Sequence, residues 1–377
     1  MNFSAPIPML HHCVTTLNRQ GGAQTYIQAL LKHQLGATEQ PIINLFEVPK
    51  QSQFQLLHLH DPKQLNAFRE ECPAVISLHN HSPYCPSGTQ YFSTHQMCCD
   101  RPMSTLGCVW GHLVDGCGSR RPANIYQGLR TSQQEITHLQ QKRILVIANS
   151  DYVRDRLIRQ GLPPDRVVTL HLGTEDRQQL ATPLTPEIHR MQRLLFVGRV
   201  VPTKGVEWLL RSLALVNPAI HLDIAGDGWF RPQAERLAAT LGIQSRITWH
   251  GWCQADELSQ LYEQCFAVVF PSVWPEPAGL ITLEAYSHHR PVIASAVGGI
   301  PEYAVHGKTG LLVEPNHPRQ LAAAMTQLAE HHQTCSDLAR QGYTYYQSRF
   351  TLTTHIKALN QIYDRAIDLF TKKLGDW

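Results

Sequence analysis

The feature that most constrains this chain is the alternation of short apolar runs with amphipathic segments along nearly its whole length. Runs such as RILVIA (143–148) and RLLFVG (193–198) are typical of buried strands, and helical patterns such as residues 151–160 follow them. Parallel strands need a crossover connection, which a helix usually supplies. The alternation therefore predicts an α/β protein with parallel, doubly wound sheets.

The pattern occurs twice, on either side of a polar, proline-containing link at residues 179–192. A chain of 377 residues is also too long for one ordinary hydrophobic core. We expect an N-terminal domain at 1–185, a C-terminal domain at 186–350 and a final helical segment at 351–377. Before the link, the patterns predict strands at 7–14, 41–47, 54–60, 74–79, 143–148 and 166–173, and helices at 23–34, 128–141 and 151–160. After it, they predict strands at 193–198, 219–226, 246–251, 267–272, 291–296 and 310–315, helices at 205–216, 232–241, 255–264 and 279–287, and further helix over 317–376.

Residues 80–127 interrupt the first half and are predicted to form an irregular excursion rich in Cys, Pro, Gly and Ser. Half of the ten cysteines lie in it: Cys85, Cys98, Cys99, Cys108 and Cys117. In a cytosolic protein such a group is typical of a metal site or of free thiols rather than of disulfides. Because their spacing contains no CxxC pair, a zinc site is disfavoured, and the choice between a metal site and free thiols stays open.

Charge and hydropathy argue against several classes of protein. The net charge of +3 is too small an excess of basic residues to indicate a nucleic-acid partner. The sequence contains no run of about 18 apolar residues, which argues against a membrane-spanning helix. Residues 1–22 lack the basic start and apolar stretch of a secretory signal. We therefore expect a cytoplasmic protein.

A cationic loop follows the first predicted strand of the second half, in FVGRVVPTKGVEWLL (196–210). Gly198 ends the strand, Arg199 follows it, and Lys204 stands just before the next helix. Two cations at the carboxyl end of a strand and beside a helix N-terminus form a natural anion site, and a guanidinium fork with an ammonium suits a diphosphate. The alternative is that both are solvated loop charges.

Two carboxylates eight positions apart stand in WPEPAGLITLEA (274–285). Prolines on either side of Glu276 stiffen the backbone, so its carboxylate is expected to be fixed at a strand end, where it can accept from sugar hydroxyls. Gly279 permits close backbone approach, and the amides of Gly279 and Leu280 can cap a phosphate at the start of the next helix. Glu284 shares the inward helical face with Leu280 and needs a partner, either a ribose diol or a backbone donor. The alternative for each glutamate is a helix-turn salt bridge.

Glycine pairs follow two other predicted strands, Gly21-Gly22 in the first half and Gly298-Gly299 in the second. Such a pair at a strand end either admits a pyrophosphate or forms a simple turn. The stretch IAGDG (224–228) lacks the third glycine of a dinucleotide fingerprint and is predicted to be a tight turn. This disfavours a dinucleotide-dependent oxidoreductase.

A histidine, His79, stands at the end of the strand in SLHNHSPYCPSG (77–88). At that position it can bond a ligand hydroxyl or move a proton. His81 competes for this role, and a purely structural histidine is the alternative.

Together these motifs resemble the retaining glycosyltransferases of family 4, which have the GT-B fold. The resemblance rests on GR-x4-KG at 198–205, E-x7-E at 276–284 and PVIASAVGGIPE at 291–302, in that order. The glycine pair at 21–22 and the LHN motif within 77–80 support it. It covers nearly the whole chain. It implies two Rossmann-like domains facing a cleft, a nucleotide-sugar held mostly by the C-terminal domain, and a last helix that crosses back to the N-terminal domain.

The resemblance also implies a role for each motif, and it implies that donor binding needs no metal and no cofactor. The residues expected to act in transfer are His79 near the sugar ring, Arg199 and Lys204 on the diphosphate, and Glu276 on the sugar hydroxyls. Those expected to bind the donor are Gly21, Gly22, Gly198, Arg199, Lys204, Glu276, Gly279, Leu280 and Glu284, the last of them on the ribose.

The donor base and the acceptor stay open at this point. The donor is a UDP- or GDP-sugar, and the acceptor is a glycan or a lipid-linked molecule. A lipid-linked acceptor suits peripheral association with the inner face of the cell membrane through the basic pair Arg120-Arg121. A sugar-nucleotide epimerase and a non-catalytic nucleotide-sugar-binding protein are the alternatives. Two departures from the family pattern, Ala278 and His289, are expected to alter donor fit.

Overall fold

The computed structural model describes residues 9–13, 22–34, 55–176 and 182–371. The predicted strand at 41–47 and Gly21 lie outside these residues. The chain divides into two compact units. Unit 1 comprises Met1–Thr94, Asp100–Leu172 and Leu352–Trp377, and unit 2 comprises His95–Cys99 and Gly173–Thr351.

Unit 1 contains a parallel sheet. Its strands, numbered in chain order with those of unit 2, are β1 (Met9–Cys13), β2 (Gln55–Leu59), β3 (Ala74–Leu78), β4 (Tyr91–Phe92), β6 (Leu145–Ala148) and β7 (Val167–Thr169), and its helices are α1 (Gly22–Gln34), α2 (Thr105–Trp110), α3 (Pro122–Gln141), α4 (Asp151–Arg159) and α13 (Leu352–Thr371). Among the described residues, five strands pair in the order β1-β2-β3-β6-β7. Every residue of β3 and β6 is buried, as expected for a sheet covered on both faces.

The predicted irregular excursion at 80–127 is only partly irregular, so that prediction is wrong in part. It contains α2, whose first turn is capped by the Ser104 hydroxyl, which accepts from the amide of Gly107 at 3.2 Å. A π-helical turn at Gly111–Asp115 follows α2 directly. Helix α3 begins at Pro122, six residues before the predicted start, because proline at the first helical position already has the required φ and needs no amide partner.

Unit 2 contains the second parallel sheet. The strands of unit 2 are β5 (Met97–Cys98), β8 (Arg193–Val197), β9 (His221–Ala225), β10 (Ile247–Gly251), β11 (Ala267–Phe270), β12 (Val292–Ser295) and β13 (Gly310–Val313). The helices of unit 2 are α5 (Pro186–Arg190), α6 (Val206–Leu213), α7 (Arg231–Thr240), α8 (Ala255–Gln264), α9 (Leu280–Ser287), α10 (Ile300–Tyr303), α11 (Pro318–Glu330) and α12 (His332–Arg349). Six of these strands pair in the order β10-β9-β8-β11-β12-β13 in the part of the chain that the structure describes.

The strand order of unit 2 reverses between β8 and β11. From β8 the chain builds outward through β9 to β10, and it then returns to place β11 on the other side of β8, with Leu195 aligned on Val268. Helices that follow the two central strands therefore lie on opposite faces, and a crevice opens outside the carboxyl ends of the strands at this point. The loops after β8 and β11 meet there, and they carry Arg199 and Glu276 respectively.

The predicted helical region at 317–376 consists of three helices. Helices α11 and α12 belong to unit 2, whereas α13 belongs to unit 1. No helix among the described residues is long and apolar enough to cross a membrane.

Candidate functional site

An ion pair joins the loops that follow β8 and β11. The ammonium of Lys204 lies 2.5 Å from Oε1 of Glu276, and both side chains are largely buried. The hydroxyl of Ser272 and the indole N–H of Trp274 donate to the same oxygen at 2.7 and 2.8 Å. One carboxylate oxygen thus accepts from three donors, which explains how a glutamate is held among prolines with little solvent around it.

The loop after β11 is fastened to the turn that contains Lys204. The carbonyl of Thr203 accepts from the amide of Val273 at 3.0 Å, and the Ser272 oxygen lies 3.2 Å from the same carbonyl. The indole N–H of Trp208, in α6, donates to the carbonyl of Pro271 at 2.7 Å. These bonds place Lys204 and Glu276 together although 72 positions separate them in the chain.

Gly205 is required by this close approach. Its φ is +77°, and a Cβ on it would lie 1.7 Å from the carbonyl oxygen of Pro271. A side chain would push the Lys204 turn away from the loop after β11. The KG pair that the sequence contains is therefore a packing requirement of the site.

The second glycine pair, Gly298-Gly299, supports Glu276 from behind. Gly298 has φ +61°, and a Cβ on it would lie 2.5 Å from the backbone oxygen of Glu276 and 2.6 Å from its nitrogen. The amide of Gly299 donates to the backbone oxygen of Glu276 at 2.7 Å. The pair forms a turn that packs against the glutamate backbone, and its approach to a pyrophosphate stays a prediction.

Arg199 stands at the mouth of the crevice with its side chain exposed. Gly198 before it has φ +145°. The backbone of Gly198 touches the IAGDG turn, because a Cβ on Gly226 would lie 1.9 Å from the Gly198 oxygen. The amide of Val200 donates to the backbone carbonyl of Asp227 at 2.9 Å, so the IAGDG turn supports the cationic loop. The arrangement leaves Arg199 accessible to an anion from solvent.

Helix α9 begins at Leu280, directly after Gly279. Gly279 is buried, and a Cβ on it would lie 2.9 Å from Cβ of Tyr303. The first amides of a helix have no intrahelical partner, and they carry partial positive charge. The N-terminus of α9 therefore adds a second source of positive potential near the strand ends of unit 2.

Glu284 lies one turn into α9 and accepts from the hydroxyl of Tyr262, in α8, at 2.9 Å. The Tyr262 hydroxyl is a partner that the sequence did not indicate, and the expected contact with a ribose diol stays a prediction. The hydroxyl of Thr282 is also buried in α9, and it has no hydrogen-bond partner among the described residues. Glu284 is only partly buried.

His79 belongs to unit 1, and both of its ring nitrogens are engaged there. Nε2 lies 3.2 Å from Nδ1 of His60, and Nδ1 lies 3.4 Å from the amide nitrogen of Asn149. Burial lowers the pKa of His79 to about 4, against the opposing effect of Asp61. Gly22, the first residue of α1, is exposed. The roles expected of Gly21, Gly22 and His79 in donor binding stay predictions.

Three residues of the site were not predicted from the sequence. Ser272 and Trp274 fix the Glu276 carboxylate, and Tyr262 bonds Glu284. A polar or amphipathic residue within four positions of a buried carboxylate is the signal that points to such partners. Tyr262 gives no such signal, because it is brought to Glu284 by helix packing alone.

His289, one of the two departures from the family pattern, stands where the backbone conformation favours glycine. Its φ is +54°, in the left-handed region that glycine adopts most easily. The imidazole stacks on Tyr343 with ring centroids 3.7 Å apart, a contact that offsets part of the backbone strain. Ala278, the other departure, is partly buried before α9.

The cysteines of the excursion are free thiols. No three of them come within metal-ligating distance of one another among the residues that the structure describes.

Part of the chain is similar in sequence to known glycosyltransferases. Residues 176–345, all within unit 2, match the family model for glycosyl transferases group 1. An uncharacterized glycosyltransferase of Methanocaldococcus jannaschii is 38% identical over 131 residues, which cover 34% of this chain and 33% of that protein. A D-inositol 3-phosphate glycosyltransferase of Rhodococcus opacus is 32% identical over 203 residues, covering 48% of this chain and 45% of that protein. The chain thus spans less than half the length of these relatives.

Solved structures resemble the chain over most of its length. Anabaena HepE in complex with UDP-glucose gives a TM-score of 0.67 at 17% identity, covering 98% of this chain and 100% of that one. Sucrose-phosphate synthase from Thermosynechococcus elongatus gives 0.63 at 23% identity, covering 82% and 73%. At such identities the likeness concerns the fold.

Proposed function

We propose that the protein is a retaining glycosyltransferase, because residues 176–345 match the family model for glycosyl transferases group 1 and the chain has the GT-B fold. It moves a hexose-type sugar from a nucleoside-diphosphate donor, a UDP- or GDP-sugar, to a glycan or lipid-linked acceptor. The observation that carries the proposal is the Lys204–Glu276 pair at the point where the strand order of unit 2 reverses. A cation and a fixed carboxylate at that point suit a ligand with phosphates at one end and hydroxyls at the other.

Each charged side chain of the crevice binds a different part of the donor. Arg199 is exposed and offers a guanidinium fork, so it meets the diphosphate first. Lys204 turns from Glu276 toward the phosphate oxygens when these arrive, and the Glu276 carboxylate then accepts from the sugar hydroxyls. The amides of Gly279 and Leu280 face the distal phosphate, and Glu284 accepts from the ribose.

The chemical step needs positioning and charge stabilisation more than proton transfer by the protein. The bond between the anomeric carbon and the diphosphate oxygen breaks, and a bond from the same carbon to the acceptor hydroxyl forms on the same face. The acceptor proton passes to the departing phosphate oxygen. Arg199 and Lys204 offset the negative charge that develops there, so donor binding needs no metal.

Donor binding is tested by thermal shift of the purified chain against UDP, GDP, ADP and their common sugar conjugates. A ligand that binds only the native state raises the midpoint. We expect a shift with one nucleotide series that is lost in Arg199→Ala and in Lys204→Ala. Arg211→Ala is the matched control, since Arg211 lies on α6 and pairs with Glu207, one turn away, at 2.9 Å. The absence of any shift would favour a non-catalytic protein.

The reaction class is tested on the donor identified in this way. Product analysis separates the three candidate activities, because a transferase releases the nucleoside diphosphate and needs an acceptor. An epimerase converts the donor to an isomer without any acceptor, and a binding protein leaves it unchanged. Transfer that persists in the Arg199→Ala/Lys204→Ala double variant would refute the assigned roles.

An apolar surface of unit 1 suits the peripheral membrane association proposed with a lipid-linked acceptor. Leu106, Trp110 and Leu113 lie on one face of α2 and the π-helical turn, and they are 86%, 57% and 48% exposed. The exposed pair Arg120-Arg121 follows within ten residues. Apolar side chains beside basic ones are typical of segments that lie in an anionic membrane surface, and the cytoplasmic location proposed for the chain gives access to the inner face of the cell membrane.

Sedimentation with phosphatidylglycerol vesicles tests this surface. We expect the wild-type chain to sediment with the vesicles and Leu106→Ser/Trp110→Ser to stay in the supernatant. Trp229→Ser is the control, since Trp229 is 68% exposed in unit 2. Equal sedimentation of both variants would remove this surface from the proposal.

A further inference from the structure

Three buried histidines meet on one face of the unit 1 sheet. His12 in β1 is aligned with His58 in β2, and His60 lies two residues beyond His58. Because side chains alternate along a strand, all three project from the same face. Their exposed fractions are 0%, 0% and 7%, and we call them the histidine cluster.

The spacing within the histidine cluster is that of metal ligands. Each member offers one ring nitrogen, and these three atoms lie within 4.8 Å of one another. Nδ1 of His12 and Nε2 of His60 are 3.1 Å apart. Two nitrogens bound to one tetrahedral zinc at about 2.0–2.1 Å each are separated by about 3.3 Å. Within the described ranges, no other group of three His, Cys, Asp or Glu side chains has such spacing.

Hydrogen bonds outside the cluster hold its rings. His58 bonds the Tyr363 hydroxyl through Nδ1 and the Ser77 hydroxyl through Nε2, each at 2.8 Å. His60 faces His79 through Nδ1. A histidine that binds a metal usually keeps its second nitrogen in such a bond, which fixes the tautomer and the ring. Binding requires His58 to release one hydroxyl and to tilt away from the His60 ring, whose centroid lies 4.1 Å from its own.

The tautomer of His60 can adjust to a metal. With a metal on Nε2 of His60, the proton of that ring lies on Nδ1, which then donates to His79.

We propose that His12, His58 and His60 bind one zinc ion, or another late first-row divalent cation, in a three-ligand site that ties β1 to β2 and leaves the fourth position of the tetrahedron to a non-protein ligand. All three ligands are imidazoles, which favour zinc, copper and nickel over magnesium and calcium. The site belongs to unit 1 and plays no part in the donor binding proposed for unit 2. Its failure and the failure of the proposed activity are therefore separate results.

The test uses the full chain, expressed without a histidine tag and stripped with a chelator. Zinc is titrated against a chromophoric competitor, and cobalt is then added in its place to record the visible spectrum. We expect one equivalent of zinc per chain and a tetrahedral cobalt spectrum without the sulfur-to-cobalt charge-transfer band that thiolate ligands produce. That band would assign the metal to cysteines and overturn the proposal, as would the absence of any bound metal.

Variants locate the site. Loss of an outer hydrogen-bond partner typically weakens metal binding by about 10–100-fold, so Tyr363→Phe is expected to weaken it by about tenfold. Replacing a ligand in His58→Gln or His60→Gln is expected to weaken it by at least about 100-fold. His33→Gln, at an exposed position of α1, is the control and is expected to bind as the wild type does. Equal affinity in His33→Gln and in a folded His60→Gln would overturn the proposal, and the cobalt spectrum of the wild type decides it if the ligand variants do not fold.

Discussion

Replacing Gly298 by alanine is expected to disturb Glu276 without touching its side chain. The new Cβ would lie 2.5 Å from the Glu276 oxygen and 2.6 Å from its nitrogen. Both atoms are backbone, and the Gly299 amide already holds that oxygen at 2.7 Å, so the loop has to move as a whole. The displaced loop separates Glu276 from Lys204, Ser272 and Trp274.

A second glycine isolates the effect of this clash. Gly307 has φ +70°, close to the +61° of Gly298, and a Cβ on it would meet nothing within 4 Å. Alanine in the left-handed region costs about 1–2 kcal/mol at either position. Overpacking adds about 1–3 kcal/mol at Gly298 alone. For a unit of this size about 1 kcal/mol lowers the thermal midpoint by about 2–4 °C, so Gly307→Ala is expected to lower it by about 2–8 °C and Gly298→Ala by roughly twice as much.

The assay is the thermal midpoint with and without the nucleotide-sugar found by screening. We expect Gly307→Ala to keep the ligand-induced rise in the midpoint and Gly298→Ala to lose most of it. Of these two substitutions, Gly298→Ala is the one that displaces the loop carrying Glu276. Equal midpoints for the two variants, or a full ligand-induced rise in Gly298→Ala, would refute the view that this glycine holds Glu276 in place.

Three further predictions concern buried ionisable groups. Lys204→Met is expected to destabilise unit 2 by about 3–5 kcal/mol, because it leaves the Glu276 carboxylate unpaired, whereas Lys204→Met/Glu276→Gln is expected to recover most of that loss in thermal midpoint. Arg290 is fully buried, and its guanidinium donates to the carbonyls of Glu263 and Cys265 at 2.6 and 2.7 Å, so Arg290→Lys is expected to cost about 2–4 kcal/mol in urea unfolding, with Arg236→Lys as the exposed control. Burial lowers the pKa of His355 to about 4, so the unfolded chain binds this proton at a higher pH than the folded chain does. The contribution of His355 to stability is therefore complete above about pH 6.5 and falls by up to about 3 kcal/mol as the pH drops toward 4. His355→Phe is expected to reduce this loss of stability in acid, and an unchanged acid sensitivity of the variant would contradict the prediction.

The strands of unit 2 could be located closely from the sequence. The predicted strand at 193–198 is Arg193–Val197 in the structure, and the one at 267–272 is Ala267–Phe270. Both are continuous apolar runs, and the backbone of such a run is buried wherever it lies in a parallel sheet. The excursion was predicted less well, because α2 has only six residues and the many Cys, Pro, Gly and Ser around it are typical of irregular structure.

The candidate site divides in the same way. The sequence alone indicated that Gly198, Arg199, Lys204 and Glu276 stand at strand ends, because the end of an apolar run is a local feature. The partner of Glu276 was not predictable, because Lys204 lies 72 positions away and reaches it only through the bonds from Thr203 and Trp208. The histidine cluster was missed for the same reason, since 21 dispersed histidines show no pattern until β1 and β2 are paired.

What the sequence determined by itself is the class of fold and the set of strand ends that carry polar residues, because both follow from hydrophobic periodicity over a few neighbouring positions. What only the tertiary structure decided is which of those ends meet. That choice depends on the order of strands within each sheet, with β11 beside β8 in unit 2 and β1 beside β2 in unit 1. Strand order is set by the packing of whole helices and sheets, so it brings Lys204 to Glu276 and His12 to His60 through contacts that no local stretch of the chain encodes.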